Sequence, residues 1–133
     1  MTRTFVRPAS MQNSPAYSHA VIKSGTPVFV SGQVALDGNG EIVGEGDIRA
    51  QTQQVLANLR TVVVACGGSV DDIVKLTVYT TDLAYRPAIG EARAAMFRAG
   101  ESPASTFVVV SSLADPRFLV EIEAIAVIER PSA

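Results

Sequence analysis

The chain has 133 residues, of which 47% are hydrophobic and 18% charged, and its formal charge is −2. This length suits one domain with a core of its own, and the composition is that of a globular protein, so we expect a single domain over residues 1–133. The eleven Lys and Arg residues are scattered rather than clustered, which speaks against a nucleic-acid-binding protein.

Cysteine and histidine each occur once, as Cys66 and His19. One cysteine excludes an intramolecular disulfide and a cysteine-based zinc site, so we expect no structural metal. Cys66 itself is expected to be a small buried residue. The N-terminus lacks the apolar segment of a signal peptide and no apolar run reaches the length of a membrane span, so we expect a soluble cytoplasmic protein with no membrane partner.

The first half of the chain predicts strands followed by a helix. A short strand and a loop are expected over residues 1–16, and strands over 17–23 and 27–34. The D-G-N-G sequence at 37–40 predicts a tight turn in a small hairpin. Apolar residues then recur at three- and four-residue steps, which predicts a helix that begins at Asp47 and stops at Gly67; they are Ile48, Val55, Leu59, Val62 and Cys66.

The second half predicts a strand over 73–81, a helix over 84–99 and strands over 104–113 and 119–129. The order of these elements indicates an α+β domain, in which a mixed β-sheet carries two helices packed on one face. Crossover connections through the helices are expected to be right-handed.

The last strand carries two carboxylates on one face. Val120, Ile122 and Ala124 alternate with Glu121 and Glu123, so the two carboxylates lie about 7 Å apart opposite the apolar face. Either this face is solvated, or another subunit covers it. In the second case a carboxylate there could hold a water molecule or act as an acid or base.

Three further polar positions stand out before the first helix. Tyr17 and His19 share a face of their predicted strand, where His19 is either a structural histidine or the chain's only imidazole acid/base. Ser31 and Gly32 interrupt an apolar strand, and Gly32 predicts a bulge or a close approach of a ligand to the backbone.

Several segments in order along the chain resemble the Rid family, whose founding type is the RidA enamine/imine deaminase and whose members are also labelled endoribonuclease L-PSP, YjgF-like or translation inhibitor. The segments are V-S-G-Q-V (30–34), D-G-N-G-E-I-V-G (37–44), Q-T-Q-Q-V-L-A-N-L (51–59), V-K-L-T-V-Y-T-T-D-L (74–83), P-A-S-T (103–106) and L-V-E-I-E-A-I-A-V (119–127). The resemblance implies a chorismate-mutase-like fold and a homotrimer with ligand pockets between adjacent subunits.

The resemblance also implies site residues. Glu121 matches the glutamate that positions the attacking water. The residues that match substrate-binding positions, or adjoin them, are Tyr17, Ser31, Arg86, Gly90, Ser105, Thr106 and Phe107. Three of these depart from the deaminase pattern: Ser105 replaces the carboxylate-binding arginine, Gly90 replaces a pocket asparagine, and Phe107 stands where some members carry cysteine. Arg86, at the start of the second helix, is either a replacement for the missing guanidinium or a solvent-exposed residue, and Arg117 is a weaker candidate.

Two functions follow as expectations. The first is a cofactor-free hydrolase or deaminase acting on a small enamine, imine or related metabolite, distinct from the 2-aminoacrylate deaminases because Ser105 cannot neutralise a carboxylate. The second is a non-catalytic trimeric module that binds a small metabolite in the same pockets. An endoribonuclease is disfavoured by the acidic composition.

Overall fold

A computed structural model describes residues 3–132 of the chain. The main sheet has four strands in the order β3-β6-β4-β5. They are β3 (Thr26–Gln33), β4 (Ile73–Thr80), β5 (Ala104–Val109) and β6 (Val120–Ile128). Strand β6 is antiparallel to both of its neighbours, whereas β4 and β5 are parallel. A two-stranded antiparallel sheet of β1 (Arg3–Val6) and β2 (Ala20–Lys23) completes the strands.

Two helices connect the strands: α1 (Ile48–Ala65) and α2 (Arg86–Met96). Helix α1 packs on β3 and β6, and α2 packs beside α1. The core between helices and sheet is aliphatic, as the composition requires, and its fully buried members include Val55, Leu59, Leu76, Val78 and Ile122. The α+β architecture with two helices and a mixed sheet is therefore confirmed.

Helix α1 begins and ends where the sequence predicts. The Asp47 carboxylate accepts hydrogen bonds from the backbone N–H groups of Arg49 and Ala50, which satisfies two donors of the first turn. At the other end Gly67 has φ +89°, the left-handed conformation that terminates a helix. Cys66 is the C-cap residue and packs against the core as a free thiol.

Other elements are shorter than the sequence predicts. Strand β5 stops at Val109 because its partner β4 stops at Thr80, the residue paired with it. Helix α2 starts at Arg86, after a 3₁₀ turn over Leu83–Tyr85, and the extended conformation of Phe97 ends it. Tyr17 and His19 lie before β2 rather than in it.

Within residues 3–132 the longest helices are too short or too polar to cross a membrane. No group of three or more His, Cys, Asp or Glu side chains in the same part of the chain is arranged to hold a metal ion.

Candidate functional site

A cavity of about 570 Å³ lies between the segment 14–17, the first turns of α2 and strand β5. Its lining includes five residues that the sequence singled out and one that it did not. The five are Tyr17, Arg86, Gly90, Ser105 and Phe107, and the sixth is Arg93. A volume of this size suits a small-molecule ligand.

Strand pairing directs Ser105 and Phe107 toward the cavity. Ser105 is paired with Leu76 and Phe107 with Val78, in parallel register. Because directly paired residues share a face of a sheet, Ser105 and Phe107 stand on the same face as the buried Leu76 and Val78, under the helices.

Arg86 lies beside Phe107 at the mouth of the cavity. Its guanidinium carbon is 5.4 Å from the centroid of the Phe107 ring, within the range of a cation–π contact. The side chain is exposed, and within residues 3–132 no carboxylate lies within salt-bridge distance of it. By contrast Arg117 is paired with Asp115 at 2.8 Å and does not line the cavity.

Hydrogen bonds to the start of β5 hold the segment that carries Tyr17. The buried Ser18 donates its backbone N–H to the Pro103 carbonyl and its hydroxyl to the Ser102 carbonyl, at 3.1 and 2.6 Å. The Ser102 hydroxyl donates in return to the Pro15 carbonyl. These hydrogen bonds hold Tyr17 against α2 and β5, and no local sequence pattern predicts them.

His19 makes structural contacts. Its Nε2 lies 2.9 Å from the Gln12 carbonyl oxygen, which can only accept, so Nε2 carries a proton. Its ring meets the Tyr17 ring edge to face, with centroids 5.5 Å apart. These contacts favour the structural alternative for His19, as a support for Tyr17.

Arg93 lines the cavity but is not among the site residues predicted from the sequence. It follows Arg86 by seven residues and Gly90 by three, which places all three on one face of α2. The Arg93 Nη2 donates to the Ala16 carbonyl at 3.3 Å, while its buried Nε has no acceptor among the described residues. Burial lowers the pKa of Arg93. The i, i+4, i+7 spacing of Arg86, Gly90 and Arg93 was the signal that could have found it.

Glu121 lies on the opposite, helix-free face of the sheet. Val120 and Ile122 on either side of it are fully buried under the helices, so its carboxylate points away from them. Burial raises the pKa of Glu121, and the neighbouring Glu123 carboxylate raises it further. A carboxylate with a raised pKa holds a proton more readily than an ordinary glutamate, which suits a group that accepts and returns protons.

A β-bulge in β3 makes room for the Glu121 carboxylate. Val30 pairs with Ala124 and Gln33 with Ile122, so Ser31 and Gly32 together oppose the single residue Glu123. A Cβ atom on Gly32 would lie 2.1 Å from Glu121 Oε2. The bulge expected at Gly32 is present, and what approaches its backbone is the Glu121 side chain.

Tyr79 holds the second carboxylate of this face. Its hydroxyl donates to Glu123 Oε1 at 2.7 Å, and this hydrogen bond raises the pKa of the Tyr79 phenol. Glu121, in contrast, accepts no hydrogen bond from the part of the chain that the structure describes. The two glutamates, equivalent by spacing, are therefore different: Glu123 is engaged and Glu121 is free to accept a proton or bind water.

One chain does not bring all the candidate residues together. Five of them line the cavity on the helix side, while Glu121 and the bulge of Ser31 lie on the open face. Thr106 is also on the open side of β5, where its hydroxyl accepts from Lys75 at 2.7 Å. Strand β4 separates β5 from β6, and Ser105 is level with Ala124, three residues from Glu121. Ser105 and Glu121 are therefore separated by about 10 Å across the strands and about 10 Å along them, and they point to opposite faces.

Comparisons with known proteins agree with this fold. The family model described as endoribonuclease L-PSP matches residues 8–128. The chain belongs to this family. Among curated relatives, a RutC family protein of Pyrococcus horikoshii is 46% identical over 112 residues, which cover 83% of this chain and 85% of the relative.

Solved structures of the Rid/L-PSP family superpose over nearly the whole chain. The Rid family protein YyfB of Yersinia pestis is 41% identical with a TM-score of 0.90, covering 96% of this chain and 100% of that one. RidA from an Antarctic Psychrobacter is 31% identical with a TM-score of 0.72, covering 94% and 99%. The resemblance inferred from the sequence segments is thus confirmed for family and fold.

Proposed function

We propose that this Rid family chain forms a homotrimer with three ligand pockets, each built from the cavity of one subunit and the Glu121 face of the next. The observation that carries the proposal is the division of the candidate residues between opposite faces of one sheet. Only a second copy can place a Glu121 carboxylate opposite a cavity that contains Tyr17 and Ser105.

The open sheet face has the character of an interface. It carries Phe29, whose side chain is 76% exposed, together with half-buried Ile125 and Val127. An aromatic side chain this exposed beside aliphatic neighbours is costly in water, and a partner subunit would remove it from solvent. Closing this face would also bury Glu121 further and raise its pKa more strongly.

The reaction we propose is cofactor-free hydrolysis of a small enamine or imine. Glu121 orients a water molecule and takes its proton as the water oxygen adds to the imine carbon. An enamine reacts after tautomerising to its imine. The first proton passes from Glu121 to the nitrogen, which gives a carbinolamine. The carboxylate then takes the proton of the carbinolamine hydroxyl and passes it to the nitrogen as the carbon–nitrogen bond breaks, so that ammonia leaves and a carbonyl product remains. Tyr17 and Ser31 bind polar atoms of the substrate, and Ser105, Thr106, Phe107 and Gly90 shape its pocket.

Arg86 supplies positive charge in place of the arginine that the deaminase pattern has at position 105. A serine offers one hydroxyl, whereas a guanidinium forms two parallel bonds to a carboxylate, so the change at Ser105 alone removes a charge-assisted pair. Arg86 lines the same cavity, and no carboxylate within residues 3–132 pairs with it. Because Ser105 cannot form the charge-assisted pair of the deaminase pattern, we do not propose 2-aminoacrylate as the substrate.

Mixing two inactive variants tests the shared pocket. Glu121→Gln removes the proton acceptor, and Arg86→Glu reverses the charge in the cavity. If each pocket uses both subunits, random co-assembly restores about a quarter of the pockets, because each half is intact with a chance of one half. Activity is followed as loss of imines generated in situ by an amino-acid oxidase. No recovery in mixed trimers, or a monomer in solution, contradicts the shared pocket.

The second candidate is a binding module without turnover, favoured by the serine at position 105. It is distinguished by the same assay. If imines generated from several amino acids disappear no faster than in buffer, while a ligand still binds saturably, the module replaces the enzyme. Endoribonuclease activity is the weakest candidate because the chain carries a formal charge of −2 and no basic cluster. RNA cleavage that disappears on stringent purification would exclude it.

A further inference from the structure

A second cavity of about 250 Å³ lies against the first, between the segment 15–16 and the C-terminal half of α2. Its walls are mostly apolar and include Pro15, Ala94, Phe97 and Ala99. The two cavities have Ala16, Gly90 and Arg93 in common. An engineered apolar cavity of roughly 150 Å³ accepts benzene, so this one has room for a phenyl ring or a branched alkyl group.

Gly90 leaves the boundary between the two cavities without a side chain. It lies within α2, and a Cβ atom placed there would meet no other atom within 4 Å. Glycine inside a helix is unfavourable compared with alanine, and nothing in its packing requires it. Gly90 lines both cavities, so the passage that the inference requires between them would run past a position without a side chain.

Arg93 puts a positive charge at the same boundary. Its buried Nε–H has no acceptor, and within residues 3–132 no Asp or Glu side chain forms a salt bridge with it or lines either cavity. Arg93 is half-buried, and an unused buried N–H donor on it is costly unless an acceptor satisfies it. The planar carboxylate group matches the fork of Nε–H and Nη–H donors.

We propose that Arg93 forms the hydrogen bonds to the substrate carboxylate, while Arg86 adds positive charge in the same cavity, and that the second cavity takes an apolar substituent larger than methyl. The inference rests on the proposed function and narrows its substrate class to imino acids with a branched aliphatic or aromatic side chain. With the carboxylate on Arg93 and the side chain past Gly90, the imine carbon between them remains in the first cavity, where the next subunit's Glu121 is proposed to act.

Binding of stable 2-oxo acids tests the inference without requiring turnover. These compounds have oxygen in place of the imine nitrogen and retain the carboxylate and side chain. Calorimetry on the assembled wild-type protein should show 4-methyl-2-oxopentanoate binding at least tenfold more tightly than pyruvate. Arg93→Met should weaken binding of the larger acid roughly 10- to 100-fold, as expected for loss of a charged hydrogen-bonded pair. Arg60→Met, an exposed change on α1, is the matched charge control and should have no effect.

Variants of Gly90 test the passage. Gly90→Leu should fill the passage and remove the preference for 4-methyl-2-oxopentanoate over pyruvate. Gly90→Ala adds only a methyl group and should retain this preference. Both substitutions suit a helix, so folding is retained. Circular dichroism confirms this, and Arg93→Lys provides a second variant at the charged position if Arg93→Met unfolds.

The outcomes separate this inference from the proposed function. Selective binding of the larger acid that depends on Arg93, without any imine turnover, supports the inference and overturns the hydrolase. Turnover that is indifferent to Arg93→Met and Gly90→Leu supports the hydrolase and overturns the inference. If neither oxo acid binds, or pyruvate binds as tightly as the larger acid, the inference is also overturned.

Discussion

The Glu121 carboxylate occupies the space that a side chain at position 32 would fill. A Cβ atom on Gly32 would lie 2.1 Å from Glu121 Oε2 and 2.8 Å from its Cδ. Because φ of Gly32 is not in the left-handed region, its role here is to make room for a neighbour rather than to permit an unusual backbone. The bulge of β3 and the glutamate of β6 are thus one structural unit.

Gly32→Ala is expected to displace the Glu121 carboxylate and lower kcat about tenfold or more, because water orientation depends on positions held within a fraction of an ångström. Stability should change little, since the clashing atoms belong to the movable end of a side chain. Gly38→Ala is the control: no atom lies within 4 Å of its Cβ position. Equal activity in the two variants contradicts the assignment of Glu121.

Glu121→Gln is expected to lower imine hydrolysis about 100-fold or more, in the range of a lost general base. In the wild type the rate should fall as pH drops through the pKa of Glu121, which lies above its ordinary value of 4.5. The residual activity of Glu121→Gln should not show this fall in rate at low pH. A variant with the same pH limb as the wild type would assign it to another group.

Glu121→Gln is also expected to stabilise the folded protein near neutral pH. The raised pKa means that the folded protein holds the Glu121 proton more tightly than the unfolded chain does. The stability this contributes is complete below the unfolded pKa and is lost as pH rises through the folded pKa. Urea unfolding at equal protein concentration should show Glu121→Gln more stable than the wild type at pH 7.5, with the difference closing below about pH 4.5. If Glu121→Gln is less stable than the wild type at pH 7.5, the pKa of Glu121 is not raised by folding.

Ser105→Arg is expected to increase hydrolysis of small carboxylate-bearing imines such as the one formed from alanine. The new guanidinium would enter the cavity from β5 and form the charge-assisted pair that serine cannot form. Ser105→Lys is the comparison, since an ammonium lacks the planar fork and should give a smaller gain. No gain with either cation would show that the missing arginine is not what limits these substrates.

Gln51→Leu is expected to destabilise the protein by about 2–4 kcal/mol, because it leaves buried backbone groups without hydrogen-bond partners. The fully buried amide donates to the Gly44 and Arg117 carbonyls at 3.2 and 2.9 Å and accepts from the Leu119 N–H at 2.9 Å. It therefore ties α1 to the loop before β6. The exposed neighbour Gln53 offers the control: Gln53→Leu should alter the free energy of unfolding by less than about 0.5 kcal/mol.

The sequence by itself determined the elements and their order, because these depend on local chemistry. Asp47 accepts from the first-turn N–H groups of α1, and the alternation around Glu121 assigns one face of β6 to the core whatever the partner strands are. The segments that resemble the Rid family contain the candidates Ser105 and Glu121, and the same resemblance added Tyr17, which lies outside those segments. Alternation along the strand also places Ser105 and Thr106 on opposite faces.

The tertiary structure decided which of these residues meet. Tyr17 lies at the cavity because Ser18 is bonded to Ser102 and Pro103, contacts across more than 80 residues of chain that no periodicity records. Arg93 became a candidate only when the packing of α2 against the segment 14–17 buried its Nε. Glu121 and Glu123 are alike in spacing, and in the structure the hydrogen bond from Tyr79 engages Glu123 while the Glu121 carboxylate lies against the bulge at Gly32. The surroundings of each of these side chains are formed by residues far apart in the chain, so only long-range packing determines which are buried and which are hydrogen-bonded.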